Sequence, residues 1–128
     1  MILLAALAAT RKRKRPFSPT AKALAECRKR GWLAQVVEQT VPRVFIKRDL
    51  FGCIDIVAVT PEGVLGIQAT SGSNHASRVT KIHGEPRARA WLKHARLEVW
   101  SYALRGAAKT RKLYELRVES IRAEDIRP

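Results

Sequence analysis

The segment between Gly52 and Thr70 constrains the fold of this chain more than any other part of its sequence. It contains two runs rich in β-branched residues, which alternate on either side of the tetrapeptide Thr-Pro-Glu-Gly at positions 60–63. Pro and Gly stand where a tight turn favours them, and the flanking alternation is typical of strands. The segment therefore predicts two antiparallel strands joined by a short turn.

The register of this hairpin determines which side chains share a face. Pairing Thr60 with Gly63 places Asp55 opposite Gln68, and Thr70 projects on the same face as Gln68 because side chains alternate along a strand. The apolar residues of the two strands are expected to point the other way, as Ile54, Ile56, Ala58, Leu65, Ile67 and Ala69. Burial of this apolar face would hold the polar trio in a defined position on the opposite side.

The chain is strongly basic. Its 128 residues include 25 Lys and Arg against 11 Asp and Glu, a formal net charge of +14, while 46% of the residues are hydrophobic. This composition predicts one folded domain over residues 18–128. A positive field favours polyanions, and nucleic acid is the usual partner because Lys and Arg release the counterions condensed on phosphates. Membrane headgroups are a weaker alternative, and we expect no membrane partner.

Residues 1–17 are predicted to form an extension outside the domain. An apolar stretch precedes a basic run here, whereas a secretory signal has the opposite order, and the stretch is too short to cross a bilayer. We expect Arg11, Lys12 and Arg13 to contact DNA phosphates. A frayed terminal extension is the alternative.

The cysteines, histidines and tryptophans do not indicate a further site. Cys27 and Cys53 have no metal-ligand or disulfide spacing, which favours a reducing cytoplasm. The histidines lack ligand-like spacing and are expected at the surface, at positions 75, 83 and 94. The tryptophans at positions 32, 91 and 100 are expected to be core anchors rather than platforms for base stacking.

The remaining segments predict an α/β fold with a central mixed sheet of about five strands flanked by helices. Ser18 and Pro19 are typical of a helix start, and Gly31 ends that helix. Strands are predicted over residues 33–40 and 44–47 before the hairpin, and over 96–104 and 112–121 after it. Two short helices lie between, one to about His83 with Ala76, Val79 and Ile82 as its apolar face, and one from Pro86 to about His94.

This order, with Gly52-Cys-Ile-Asp55 and Ile67-Gln-Ala-Thr70 in the hairpin, resembles the PD-(D/E)XK nuclease superfamily. These proteins share the restriction-endonuclease-like fold, which the Holliday junction resolvases also have. Their motif is an Asp at one strand end followed by an acidic or amide residue two positions before a Lys. The segment 68–74, with Arg78 and Lys81 after it, further resembles small phage and bacterial proteins related to the resolvases. This resemblance implies the cytoplasm of a bacterial or phage-infected cell.

The resemblance implies roles for individual residues. Asp55 corresponds to the metal-binding Asp, Gln68 to the second metal position, and Glu26 to an acid of the first helix. Thr70 falls where the catalytic Lys belongs. Cationic replacements would come from Lys81 or Arg78 on the following helix, or from Lys47, and Arg48 is a further candidate for binding DNA.

The activity implied is Mg²⁺- or Mn²⁺-dependent hydrolysis of DNA phosphodiester bonds, with branched DNA as one possible substrate and a homodimer as the expected assembly. Oxygen ligands suit these hard cations. The alternative is a module that kept the nuclease fold, lost the lysine and binds DNA without cutting it. A protein that binds ribosomal or other RNA is a third possibility. For Asp55, Gln68 and Glu26, a structural role in hydrogen bonds or ion pairs is the competing interpretation.

Overall fold

The structure is a computed structural model, and it describes residues 17–44, 46–104 and 113–128. The predicted phosphate contacts of Arg11, Lys12 and Arg13 lie outside the described residues. Among the residues described, no helix combines the length and the apolar character needed to span a membrane.

The described chain is an α/β fold with a five-stranded mixed sheet and three α-helices. The elements are α1 (Pro19–Lys29), β1 (Leu33–Val36), β2 (Gln39–Val41), β3 (Ile46–Arg48), β4 (Ile56–Thr60), β5 (Gly63–Ser71), α2 (His75–His83), α3 (Pro86–Leu92), β6 (Arg96–Leu104) and β7 (Tyr114–Ser120). The strand order in the sheet is β1-β4-β5-β6-β7. Strands β5 and β6 are parallel, whereas the other neighbours are antiparallel. Strands β2 and β3 form a separate antiparallel ribbon.

The predicted start of the first helix is confirmed. The Ser18 hydroxyl accepts a hydrogen bond from the Ala21 backbone N–H at 3.2 Å, and Pro19 occupies the first turn. This arrangement satisfies one of the N–H groups left unpaired at a helix start. Ala23 and Cys27 lie one turn apart and are fully buried, so this face of α1 packs on the sheet.

The predicted register of the hairpin is also confirmed. Thr60 pairs with Gly63 and Val57 with Gly66. The prediction was wrong for Ile54, which lies on the opposite side of the sheet from Ile56. The reason is that the regular strand begins only at Ile56: the chain bends at Asp55, so the alternation of faces does not extend back to Ile54.

Two apolar clusters cover the two faces of the sheet. One lies under α1 and contains Ala23, Cys27, Ile56, Ala58, Leu65, Ile67, Ala69, Trp100 and Tyr102. The other lies under α2 and α3 and contains Cys53, Ile54, Val79, Ile82, Ala88, Leu97, Val99, Ile121 and Ile126. Trp100 is fully buried, while Trp32 and Trp91 are partly buried against the two clusters, which confirms the prediction of core anchors.

The predicted first strand, residues 33–40, is divided into two. Strand β1 ends at Val36, and β2 begins at Gln39 and pairs with β3 instead of the main sheet. The two intervening residues cross from one sheet to the other, and Val37 still donates its backbone N–H to the Asp55 carbonyl at 2.8 Å. This crossing brings Glu38 and the base of the ribbon next to Asp55.

Candidate metal centre

Three carboxylates meet at the edge of the sheet where the ribbon leaves it. Glu38, Asp49 and Asp55 each offer an oxygen, and these oxygens all lie within 4.8 Å of one another. Glu38 immediately precedes β2, Asp49 immediately follows β3, and Asp55 immediately precedes β4. We call these three residues the acidic cluster. Sequence reasoning identified Asp55 and missed the other two.

Asp49 and Asp55 are brought together by the tight turn between them. Leu50 and Ile54 pair across this turn, with Leu50 N donating to Ile54 O at 2.8 Å and Ile54 N donating to Leu50 O at 3.0 Å. In an antiparallel ladder the next residues outward also face each other. The two aspartates therefore lie side by side, a proximity that the six-residue spacing alone did not reveal.

Gly52 allows this turn to close. Its φ angle is 73°, in the left-handed region that glycine tolerates best. A Cβ atom at this position would lie 2.5 Å from Glu85 Oε1 and 2.6 Å from Arg87 Nη2. Glu85 and Arg87 form an ion pair of 2.7 Å that packs against the turn. The backbone conformation therefore favours glycine, and a Cβ here would also require the ends of the Glu85 and Arg87 side chains to shift.

Gln68 lies beside Asp55 as the register predicts. Its side-chain Nε2 donates to Asp55 Oδ2 at 2.7 Å, and the backbone N–H of Ala69 donates to the same oxygen at 2.8 Å. Gln68 Oε1 is buried and has no hydrogen-bond partner. A buried acceptor left unpaired is unfavourable, and an oxygen at this place is suited to a cation. Asp55 and Gln68 are only 3% and 2% exposed.

Asp55 has a strongly perturbed acidity. Burial raises the pKa of its carboxyl group to about 8, and the neighbouring Asp49 carboxyl adds to the rise through a hydrogen bond and through its charge. The charge of Glu38 acts in the same direction, whereas the N–H of Ala69 opposes it. Burial is the largest cause of this rise, and the contribution of the neighbouring carboxylates is the part that a proton or another cation between their oxygens would offset.

The residues present fit a hard divalent cation. Three carboxylates and one amide oxygen are the ligand types that Mg²⁺ and Mn²⁺ prefer. Gln68, whose Nε2 contacts Asp55, has a buried amide oxygen without a partner. Glu38, Asp49, Asp55 and Gln68 would hold such an ion. Two of these four residues are among the metal ligands predicted from the sequence.

Glu26 is not brought into the acidic cluster. Its carboxylate accepts a hydrogen bond from Arg30 Nε at 2.8 Å, one turn along α1. This contact is an ion pair of the kind that the competing interpretation expected, with Arg30 as the partner. An exposed pair of this kind contributes little to stability.

Among the cationic residues predicted from the sequence, Lys47 contacts the acidic cluster. Its Nζ lies 3.9 Å from Glu38 Oε1, and the side chain is 68% exposed. Lys81 is exposed and lies close enough to Cys53 and Glu85 to influence their pKa values. Arg78 is half-buried on the same helix, and Arg48 is exposed on β3. Of these four residues, only Lys47 forms an ion pair with an acid of the cluster.

Thr70 is buried on the strand that carries Gln68. It is 4% exposed and pairs in register with Ser101 of the parallel strand β6. A buried threonine has neither the charge nor the reach of the lysine expected at this position.

His75 was expected at the surface and is instead buried. Its ring nitrogens contact Ser101 Oγ at 2.6 Å and Glu119 Oε1 at 2.8 Å. The prediction for α2 was therefore wrong at two positions, because His75 occupies the buried face and Ala76 is exposed. Two polar partners on the neighbouring strands make this burial favourable, and these partners were not apparent from the helical periodicity of α2.

Strands β2 and β3 project from the acidic cluster as a basic ribbon. Residues 39–48 include Arg43, Lys47 and Arg48 and no acidic residue. Nearly every described position of the two strands is exposed, and Ile46 remains 55% exposed. A two-stranded ribbon has the width that the major groove of DNA admits.

Comparison with known proteins returned no match: no family profile, no curated protein and no solved structure matches the chain. The arrangement of the acidic cluster, Gln68 and the basic ribbon is therefore the basis for a functional conclusion.

Proposed function

We propose that this protein is a metal-dependent DNA endonuclease with a restriction-endonuclease-like core, of the kind related to the Holliday junction resolvases. The observation that carries the proposal is the meeting of Glu38, Asp49 and Asp55 beside the unpaired buried oxygen of Gln68. The fold is compatible with this proposal. The main sheet and its helices contain, in chain order, α1, the antiparallel strands β1, β4 and β5, the helices α2 and α3, and the parallel strand β6.

The metal ion and the side chains would have different roles in the reaction. When bound, a divalent cation supplies Lewis-acid stabilisation of the phosphate and lowers the pKa of the attacking water. The acidic cluster and Gln68 would hold and orient this ion. Asp55 would have to be ionised in that state, because a carboxylate binds a metal only after losing its proton.

Lys47 is the candidate for the positive charge that Thr70 cannot provide. Its ammonium group contacts Glu38, and it stands on the exposed ribbon where a phosphate would approach. A lysine there would help to neutralise charge that develops at the phosphate. The ribbon itself, with Arg43 and Arg48, would hold the DNA backbone next to the acidic cluster.

The test is cleavage of supercoiled, linear and branched DNA with Mg²⁺ or Mn²⁺ and with EDTA. We expect metal-dependent nicking that is lost in Asp55→Ala and strongly reduced in Asp49→Asn and Glu38→Gln. Glu124→Gln is the matched control, because Glu124 is 72% exposed and lies outside the cluster. Cleavage that persists in Asp55→Ala would show that the acidic cluster is not the active site.

The second candidate function is DNA binding without cleavage, and the burial of Thr70 at the lysine position favours it. In that case DNA binds without metal, binding weakens steeply with salt, and no substrate is cut. Thr70→Lys separates the two candidates further: a degenerate site can gain activity from the lysine, whereas a site that already uses Lys47 keeps or loses its activity. Stronger binding to RNA than to DNA would point to the third possibility.

A further inference from the structure

Phe51 occupies a turn position that ordinarily excludes a bulky side chain. Its φ angle is 52°, and Gly52 follows at 73°. Two consecutive positive φ angles are typical of a type I′ turn, which favours Asn and Gly. A bulky residue in this region is a rare outlier, and such outliers cluster at functional sites. The side chain is 43% exposed, so a large part of its apolar surface remains open to solvent.

The Phe51 ring forms one wall of an open cavity of about 470 Å³. The Trp91 ring lines the same cavity and contacts the Phe51 ring, with the two ring centroids 6.3 Å apart and their planes inclined by 49°. Val64 and Ala90 add apolar surface, while Arg87 and His94 supply polar groups. An apolar cavity of this volume with a few polar groups and two aromatic rings suits a flat aromatic ligand.

The cavity shares a structural element with the acidic cluster. Phe51 stands in the turn whose two ends are Asp49 and Asp55, so one short segment contributes to both the cavity and the acidic cluster. The chain as a whole carries a net charge of +14, which favours a polyanion as its ligand. At the cavity, Arg87 is 58% exposed beside the aromatic rings and forms an ion pair with Glu85.

We propose that this cavity receives an unpaired nucleobase, stacked on Phe51, from the DNA strand bound at the acidic cluster. The proposal rests on the proposed function in taking DNA as the ligand, but it does not require cleavage. Stacking on an aromatic ring is tolerant of sequence because every base has a π face. The preferred substrate is accordingly DNA with unpaired nucleotides, as at a flap, an overhang or a branch point.

The experiment uses the full chain in EDTA, so that binding is measured without cleavage. The probe is a duplex with a single-stranded overhang that contains 2-aminopurine, whose fluorescence is quenched when it stacks on an aromatic ring. We expect quenching on binding by the wild-type protein. In Phe51→Ala we expect loss of the quenching and an affinity lower by about 5- to 150-fold, the range that corresponds to one stacked base.

Two further variants separate stacking from a change in the fold. Phe51→Leu keeps apolar bulk without a flat ring, and Ala90→Leu fills the cavity while keeping both rings; we expect both to lose the quenching and to retain the wild-type thermal stability. Phe17→Ala is the matched control, because Phe17 is 37% exposed and stacks on Tyr114 instead. It should bind and quench as the wild type does.

Each of the other outcomes supports or overturns the proposed base-binding cavity. Unchanged quenching and affinity in Phe51→Ala and Ala90→Leu would overturn the proposal. A concentration-dependent dimer that Ala90→Leu dissociates, with DNA binding unaffected, would overturn it in favour of a second copy of the chain. Stacking without cleavage by the wild type would support the cavity and contradict the endonuclease. Cleavage without stacking would support the endonuclease and overturn the cavity.

Discussion

Gln68 of strand β5 forms a hydrogen bond with Asp55, the residue before strand β4, and its Nε2 donates to Asp55 Oδ2 at 2.7 Å. The same oxygen accepts the Ala69 N–H at 2.8 Å, so the carboxylate is held by two donors. The amide oxygen of Gln68 is left buried without a donor. The pair is therefore fixed in position while retaining an unused ligand atom, an arrangement suited to a metal ion.

The first prediction concerns pH and stability in the absence of metal. The pKa of Asp55 is about 8 in the folded protein and about 3.9 in an unfolded chain. Between these values the folded state binds more protons than the unfolded state, so the free energy of unfolding falls as pH rises. The slope is at most about 1.4 kcal/mol per pH unit, and this contribution becomes constant above the folded pKa.

Chemical denaturation in EDTA at a series of pH values measures this slope. Asp55→Asn removes the ionisable group while nearly preserving the shape of the side chain, and it should flatten the profile. Asp125→Asn is the control, since Asp125 is exposed near the C-terminus. Equal slopes in the wild type and Asp55→Asn would contradict the assigned acidity.

The second prediction concerns stabilisation by metal. A ligand that binds only the folded state stabilises it by about 2.7 kcal/mol at 100 times its dissociation constant. We expect Mg²⁺ or Mn²⁺ to raise the melting temperature. Because binding displaces the Asp55 proton, the affinity should rise with pH and level off above about 8.

Thermal melts with metal titrated at two pH values test this dependence. Glu38→Gln and Asp49→Asn should each weaken the stabilisation, whereas Glu124→Gln should leave it unchanged. A metal effect that is equal in all three variants would place the ion elsewhere on the protein.

The third prediction concerns the charge of the metal site. Gln68→Glu adds a buried carboxylate beside Asp55 and removes the amide that donates to it. Without metal, the like charges should destabilise the folded state at pH above the pKa of Asp55. With metal, the extra anionic ligand should raise the affinity. Chemical denaturation without metal measures the first effect, and isothermal titration calorimetry with Mg²⁺ or Mn²⁺ measures the second. Unchanged affinity would argue against Gln68 as a ligand.

The fourth prediction concerns the turn that joins Asp49 to Asp55. Gly52→Ala introduces a Cβ that would meet Glu85 and Arg87 at 2.5 and 2.6 Å, at a φ angle of 73°. We expect a loss of about 1–3 kcal/mol in stability from backbone strain, together with weaker metal binding. Gly31→Ala is the matched control, because Gly31 has a φ of 80° with open space around it. It should be destabilised by strain alone and bind metal normally.

The fifth prediction concerns the basic ribbon. Lys47→Gln and Arg48→Gln should weaken DNA binding for all sequences and lower the slope of log affinity against log salt by about 1 each. Fluorescence anisotropy at several salt concentrations measures this slope. Arg122→Gln removes an exposed arginine from the region after β7 and should leave the slope unchanged. If all three variants lose affinity equally, the ribbon has no special role.

Much of the fold followed from local patterns. The Ser-Pro helix start, the hairpin turn and the strand over residues 96–104 are encoded by neighbouring residues, and all three are present. The errors lie where distant contacts outweigh the pattern. Ile54 packs on the α2 side of the sheet because the regular strand begins after Asp55, and His75 is buried because Ser101 and Glu119 supply polar partners.

In the candidate site too, some contacts follow from the local sequence and others depend on distant parts of the chain. The sequence by itself determined that Asp55 faces Gln68, because the alternation of a strand and the length of its turn decide a register locally. Only the tertiary structure decided that Glu38 and Asp49 join them and that Lys47 accompanies Glu38. Those residues come from the two ends of the ribbon, and their meeting depends on where the chain crosses from one sheet to the other. The local sequence pattern does not predict this crossing, because long-range strand pairing and packing determine where it occurs.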